Sequence, residues 1–193
     1  MARTKSFNET EVLEKALNLF WTKGYSATSI QDLVDHLGIN RASIYDTWGD
    51  KRNLYLESLK LYRKGSSNWL LELVRSDKPA KQIIHDFLDY VIEDSIADTE
   101  QKGCFLVNST TELANQDQSI NGLVQENRDT VIKVLTAIID EGKQDGEITS
   151  GRASHELATY LFGVINGIRV MGQTQMEASA LKNMADIAIS SLD

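Results

Sequence analysis

The fold is decided by residues 28–48, which read TSIQDLVDHLGINRASIYDTW. Thr28 and Gln31 have the spacing of a capping box, so a short helix is predicted to begin there. Gly38 is placed to end that helix, and Asn40 is a suitable N-cap for the next one. Two short helices joined by a tight turn with glycine are the sequence pattern of a helix-turn-helix.

A further helix is predicted before this pair. Asn8 is a good N-cap, and Glu11 follows three residues later, as in a capping box. Apolar residues recur on one helical face as far as Lys23, and Gly24 is placed to end the helix. Residues 1–52 are therefore predicted to form a three-helix domain that contains the helix-turn-helix.

Residues 53–193 are predicted to form a second, larger helical domain. The whole chain contains one proline, and no alternating stretch is long enough for a strand. Six helices are expected here: Asp50 to about Ser76, one with Pro79 in its first turn, Cys104 to about Ala114, one capped by Ser119, about Ala153 to Gln173, and about Ala178 to Leu192. We therefore expect an all-α protein of about nine helices.

Charge is distributed unevenly between the two predicted domains. The chain has a net charge of −8, but residues 1–52 contain 7 basic and 7 acidic residues. Residues 53–193 carry the whole negative excess. Only the first domain can therefore present a phosphate-facing surface.

Composition also limits where the protein acts. No apolar run approaches the roughly 18 residues that a membrane span needs, and the short polar start does not resemble a signal peptide. Cys104 is the single cysteine, so an intrachain disulfide is impossible. We expect a cytoplasmic protein with no membrane contact and no cofactor.

Four ordered blocks within residues 9–57 resemble the TetR/AcrR family of transcriptional regulators. They are Ala16–Phe20, Lys23–Ile30, Leu33–Ile39, and Ser43–Tyr45 with Trp48–Lys51 and Leu54. The resemblance implies a homodimeric, sequence-specific regulator, with a repressor as the default. It also implies a palindromic double-stranded operator and a C-terminal domain that senses a small-molecule effector.

The DNA contacts are expected on the Asn40–Thr47 helix and its neighbours. Periodicity leaves Arg41, Ala42, Ser43, Asp46 and Thr47 exposed. Asp46 departs from the family pattern: it would repel phosphate, but it could accept a hydrogen bond from a cytosine amine. Thr28 and Ser29 lie at a helix N-terminus, which can bind phosphate, and the resemblance implies further phosphate contacts from Tyr45 and Lys51. The complete predicted set is Thr28, Ser29, Arg41, Ala42, Ser43, Tyr45, Thr47, Trp48 and Lys51.

An effector pocket is expected among the helices of the second domain. Such pockets have apolar walls and a few polar groups, so polar residues inside apolar helices are the candidates. Their alternative role is an ordinary interhelical hydrogen bond or core contact. The predicted ligand-binding set is Trp69, Tyr90, Cys104, Phe105, Asn108, Glu112, Phe162, Asn166 and Arg169.

Cys104 carries a second hypothesis. Gly103–Asn108 resembles a stretch found in one branch of the family, at the start of the sixth helix. A helix N-terminus stabilises a thiolate, and Lys102 would assist, so Cys104 is a candidate sensor of electrophiles or oxidants. The alternative is a buried, small apolar side chain.

The last two helices resemble the family's dimerisation pair. Gly163 and Gly167 would allow a partner helix to approach closely. The apolar stripe is wide enough to be covered both by the chain's own core and by a partner. The predicted interface is Tyr160, Leu161, Val164, Ile165, Ile168, Met171, Leu181, Met184 and Ala188.

Two other classes of protein fit the sequence less well than a regulator does. An enzyme would need a catalytic constellation, but His36, His85 and His155 are far apart and no nucleophile, zinc or nucleotide motif occurs. A helical adaptor would leave the capped helix-turn-helix unexplained. The sequence therefore favours a DNA-binding regulator that is not an enzyme and has no metal site.

Overall fold

The computed structural model describes residues 7–193, with the backbone alone for residues 66–74. Within that part of the chain it consists of α-helices without strands, as predicted. The helices are α1 Glu9–Lys23, α2 Ile30–Leu37, α3 Arg41–Trp48, α4 Lys51–Val74, α5 Ala80–Ala97, α6 Phe105–Glu112, α7 Gln118–Gln144, α8 Ser154–Gly172 and α9 Ala178–Ser190.

Two apolar clusters organise these helices. The N-terminal core joins α1, α2, α3 and the first turns of α4 to α6 and the beginning of α7. The aromatic rings of Phe20, Tyr55 and Phe105 meet edge to face at its centre. The predicted division after residue 52 therefore lies inside one continuous apolar cluster.

The C-terminal core is formed by α5, α7, α8 and α9. Its buried residues include Phe87, Leu135, Leu161 and Leu181. Gly142 lies where α7 meets the start of α5, and a side chain there would collide with Ala80 and Ile148. Helix α7 contributes to both cores, so it connects the two halves of the molecule mechanically.

The helix caps differ from the predictions in three places. The capping box of α2 is formed by Ser29 and Asp32, one residue later than the predicted pair. Asp117, and not Ser119, caps α7 by accepting from the Ser119 and Ile120 backbone N–H groups. Pro79 precedes α5 as its N-cap residue, outside the first turn. The predicted caps at Asn8, Asn40 and Asp50 are confirmed.

Candidate nucleic-acid interface and ligand cavity

Helix α3 presents a polar face that packing leaves open. Ile44 is fully buried and anchors the helix, whereas Arg41, Ala42, Tyr45 and Asp46 are exposed. The Arg41 guanidinium lies 5.4 Å from the centre of the Tyr45 ring, and its Nη2 donates to the Tyr45 hydroxyl at 3.4 Å. This pairing holds a cation and a hydroxyl together on the surface, where a phosphate or base edge could meet both.

Other predicted contacts on α3 are less accessible. Ser43 is half-buried, and its backbone N–H donates to the Asn40 side chain. The Thr47 hydroxyl oxygen is buried, with no hydrogen-bond partner among the described residues, so the prediction that it is exposed was wrong. Trp48 is also half-buried, and its ring stacks on Phe7. These three side chains lie partly beneath the exposed face of α3 and add little surface to it.

Thr28 and Lys51 turn inward, in contrast to their predicted roles as phosphate ligands. Thr28 is 1% exposed, and its hydroxyl donates to the Gly24 carbonyl at 2.6 Å. Lys51 Nζ donates to the carbonyls of Tyr25 and Thr28, and burial lowers its pKa. Ser29 remains exposed, although its side chain is engaged in the α2 capping box. Thr28 and Lys51, which were predicted to contact DNA, thus stabilise the turn between α1 and α2.

Glu112 closes the same turn from α6. Its carboxylate accepts the backbone N–H groups of Tyr25 and Ser26 at 3.1 and 2.8 Å. Burial acts to raise the pKa of Glu112, but the hydrogen bonds from Ser26 and Tyr25 outweigh it and hold the pKa below its ordinary value. Glu112 does not line the cavity that lies between α4, α5, α6, α7 and α8, so its predicted role as a ligand contact there is corrected to a link between α6 and the N-terminal helices.

Three more contacts fasten the N-terminal helices to α6, α7 and the loop before α6. The Tyr55 hydroxyl lies 2.8 Å from Ser109 Oγ, both fully buried. Arg52 makes a bidentate pair with Asp117, the residue that caps α7. The Trp21 indole N–H donates to the Gly103 carbonyl at 2.8 Å. Sequence reasoning missed these pairs because their partners lie more than fifty residues apart and no local pattern marks them.

A cavity of about 460 Å³ lies between α4, α5, α6, α7 and α8. Its walls are mainly apolar and aromatic, and its size is that of a small-molecule site. Five residues of the predicted ligand set line it: Tyr90, Cys104, Phe162, Asn166 and Arg169. Tyr62, Phe87, Leu106, Val107 and Thr110 also line it and were not predicted.

The other predicted ligand residues lie elsewhere. Phe105 is buried in the N-terminal core. The Asn108 amide donates to the Lys102 carbonyl and accepts from Gln173, beside the loop before α6. The side chain of Trp69 lies outside the described residues. Periodicity identified helices that line the cavity but did not distinguish which side of each helix faces it.

Arg169 and Cys104 are two largely buried polar residues of the cavity wall. Arg169 Nη1 donates to Asp94 at 3.2 Å, and the arginine side chain is 13% exposed. Cys104, the N-cap residue of α6, is 7% exposed. Lys102, expected to assist the thiol, pairs with Glu100 and lies over the Trp21 ring. The Asn166 amide donates to the Phe162 carbonyl within its own helix.

An exposed apolar surface runs along α8 and α9. Tyr160, Val170, Met171 and Ile187 are 45, 45, 37 and 65% exposed. Five predicted interface residues are instead buried in the C-terminal core and form no surface: Leu161, Ile165, Ile168, Leu181 and Ala188. Val164 and Met184 are half-buried. The periodic stripe therefore combines a buried face with an outer face, and the outer face also includes Val170 and Ile187, which were not predicted.

The described part of the chain lacks two further features. No three His, Cys, Asp or Glu side chains come together there as a metal site requires. None of the described helices has the length and apolarity needed to cross a membrane.

Comparison with known families gives two matches that together span most of the chain. Residues 12–58 match the model of the bacterial regulatory proteins of the tetR family. Residues 81–187 match a tetracyclin repressor-like C-terminal domain.

Individual relatives agree with this result. The chain is 31% identical to an uncharacterised HTH-type transcriptional regulator, YezE of Bacillus subtilis, over 100% of both chains. It is 25% identical to the HTH-type transcriptional repressor ComR of Escherichia coli, covering 98% of this chain and 90% of ComR.

Solved structures share the fold. A cysteine mutant of the regulator CifR, complexed with a 26-base-pair operator, superposes with a TM-score of 0.87 at 20% identity and covers 99% of this chain and 100% of CifR. The reduced form of Escherichia coli NemR superposes with a TM-score of 0.84 at 15% identity and covers 95% of this chain and 97% of NemR.

Proposed function

The chain belongs to the tetR family of bacterial regulatory proteins, and from this premise we propose that it is a homodimeric repressor. It binds a palindromic operator through α3 and leaves that operator when a small molecule occupies the cavity. One observation carries the proposal: α6 lines the cavity with one side and holds the N-terminal helices with the other.

The two sides of α6 follow from helical spacing. Leu106, Val107 and Thr110 line the cavity. Ser109 and Glu112 reach Tyr55 and the turn between α1 and α2. A ligand that moves α6 would therefore move the contacts that orient α3. The operator is released only when the ligand has a higher affinity for the conformation that cannot bind DNA than for the conformation that binds the operator.

Dimerisation supplies the second half of the operator contact. Two α3 helices would enter successive major grooves roughly 34–36 Å apart. The exposed face of α3 supports Arg41, Ala42 and Tyr45 as the principal DNA contacts, with Ser29 near a phosphate and Ser43, Thr47 and Trp48 behind them. Because Lys51 and Thr28 are engaged in the turn, we assign them to positioning the helix-turn-helix.

A binding titration tests the repressor proposal. Fluorescence anisotropy of the purified protein with duplex from its own upstream region should show tight binding that random DNA competes poorly. Tyr45→Ala and added salt should both weaken it, because phosphate contacts are lost and counterion release is reduced. Equal affinity for random duplex, or no effect of Tyr45→Ala, would overturn the assignment of α3.

Cys104 offers a second route to release. Its thiol lines the same cavity and lies at the N-cap of α6, so an adduct there would displace the helix that contacts the N-terminal core. Iodoacetamide should lower operator affinity of the native protein and leave Cys104→Ser unchanged. If both proteins keep full affinity after treatment, the thiol is an ordinary buried side chain.

We further propose that the chain has no catalytic activity of its own and acts in the compartment that holds its operator, the cytoplasm. The relatives above are regulators. A screen for hydrolase and oxidoreductase turnover that gave a rate abolished by Cys104→Ser would contradict the first part of this proposal.

A further inference from the structure

The side chains around the cavity that are charged at neutral pH are of one sign. Arg169 and Arg128 line it, and no Asp or Glu does so among the described residues. This is unexpected for a chain that contains 28 acidic residues and 20 basic ones. A cationic effector would find no counter-charge on these walls, whereas an anion would find two arginines.

Arg169 is the more deeply placed of the two. Its side chain is 13% exposed, while that of Arg128 is 47% exposed and pairs with Asp129 at 2.8 Å. A guanidinium has five N–H donors in a planar fork. Among the described residues, Asp94 is the hydrogen-bond partner of Arg169, which donates to it through one nitrogen at 3.2 Å.

Asp94 compensates this charge only in part. It is 50% exposed and does not line the cavity; Asp94 and Arg169 both line a second depression next to it. A buried cation is costly unless it is paired and hydrogen-bonded. Because Asp94 engages only one of the Arg169 nitrogens, the remaining N–H groups can donate to a second anion in the cavity.

The remaining wall defines the rest of the ligand. Burial, together with a hydrogen bond to Cys104, raises the pKa of Tyr62, and its hydroxyl lies close enough to Arg169 for the two groups to interact. Phe87 and Phe162 supply aromatic surface. We propose that the effector is a small aromatic or similarly apolar molecule with a single carboxylate, which Arg169 receives with Tyr62 beside it. This inference rests on the proposed function for the regulatory role of the cavity, but not for binding itself.

Calorimetry with three matched probes tests the charge preference on the full-length protein without DNA. The probes are 2-naphthoate, the neutral 2-naphthamide and the cationic 2-naphthylmethylamine. We expect naphthoate to bind about tenfold more tightly than the amide, as one charge-assisted hydrogen bond allows, and the amine not to bind. Equal affinity of acid and amide, or no naphthoate binding at millimolar concentration, would overturn the proposal.

Variants locate the preference. Arg169→Gln should abolish the difference between acid and amide. Asp94→Asn should strengthen naphthoate binding severalfold, because it removes the competing carboxylate. Asp89→Asn, a half-exposed carboxylate on the same helix that pairs with His85, should leave binding unchanged. If Arg169→Gln does not fold, Asp94→Asn decides, and a failure to strengthen binding contradicts the proposal.

The operator titration separates this inference from the proposed function. Arg169-dependent naphthoate binding without any change in operator affinity would leave the anion site standing and remove its role as an effector site. Operator binding by a protein that does not prefer the anion would leave the repressor standing and remove the carboxylate ligand.

Discussion

Single side chains in this molecule act through partners distant in sequence. Thr28, Lys51 and Glu112 all fit sequence patterns for phosphate or ligand contacts, yet each is engaged with the turn between α1 and α2. A local pattern specifies a residue type and its helix, but it carries no information about a helix that begins eighty residues later. That is why the caps of α1 and α3 could be predicted and the role of Glu112 could not.

Glu112→Gln tests this link directly. The amide oxygen can replace one of the two acceptor positions, but the charge is lost, so we expect about 1 kcal/mol less stability at pH 7, or roughly 2–4 °C in Tm. Thermal unfolding followed by circular dichroism would measure it. A variant as stable as the native protein would mean that Lys51 and Thr28 hold the turn without the Glu112 carboxylate.

The same pair of proteins gives a pH prediction. The folded-state pKa of Glu112 is held below its ordinary value of 4.5, so its contribution is fully present above that pH and is lost as pH falls through the lower, folded value. The stability difference between the native protein and Glu112→Gln should therefore shrink below about pH 4.5. Urea unfolding at a series of pH values measures this difference. The contributions of the other carboxylates to stability are the same in both proteins and cancel. A constant difference would contradict the linkage.

Opposite charges on the open face of α3 should have opposite effects. Arg41→Ala removes a cation, so we expect weaker operator binding and a salt slope reduced by about 1. Asp46→Asn removes an exposed anion that repels phosphate, so binding to random duplex should strengthen. Anisotropy titrations at several salt concentrations measure both effects. Equal salt slopes for the two variants would place α3 away from the DNA backbone.

Whole helices were easier to predict than the sides on which they work. Every expected helix is present, because apolar periodicity and capping residues are local properties. The side of α6 that meets the cavity and the side that meets α4 differ by one or two positions, and only packing decides between them. Phe105 and Asn108 were therefore assigned to the ligand, whereas Leu106, Val107 and Thr110 line the cavity.

The hydroxyl groups of Tyr55 and Ser109 connect α4 to α6, and the contribution of each to stability can be measured separately. Tyr55→Phe leaves Ser109 donating to the Phe105 carbonyl, so we expect a loss of about 1 kcal/mol. Ser109→Ala leaves the Tyr55 hydroxyl buried without its partner, so the loss should be larger, about 1–3 kcal/mol. Urea unfolding of both variants and the double variant measures the coupling. The reverse order would mean that the tyrosine hydroxyl has another acceptor.

At the scale of the whole molecule, a stripe of apolar residues on α8 does not reveal which neighbour covers it. Leu161, Ile165 and Ile168 have the same spacing as residues that face outward, but α5, α7 and α9 already cover them. Burial within one chain and burial between two chains obey the same periodicity. The structure separates them through exposure, which is 65% at Ile187 and 45% at Tyr160.

Ile187→Glu tests whether this outer face joins two copies. A charge placed in an apolar interface must be desolvated without a partner, so the dimer should dissociate at concentrations where the native protein stays paired. Because a monomer can occupy only one half-site, operator affinity should fall with it, while folding is preserved since Ile187 contributes little to the core. Analytical ultracentrifugation and anisotropy measure the two effects. Ile96→Glu, the same change at a half-exposed isoleucine on α5, serves as the control and should remain dimeric. If Ile187→Glu also remains dimeric, two copies associate through a different surface. That surface would then determine the distance between the two α3 helices and hence the half-site spacing of the operator.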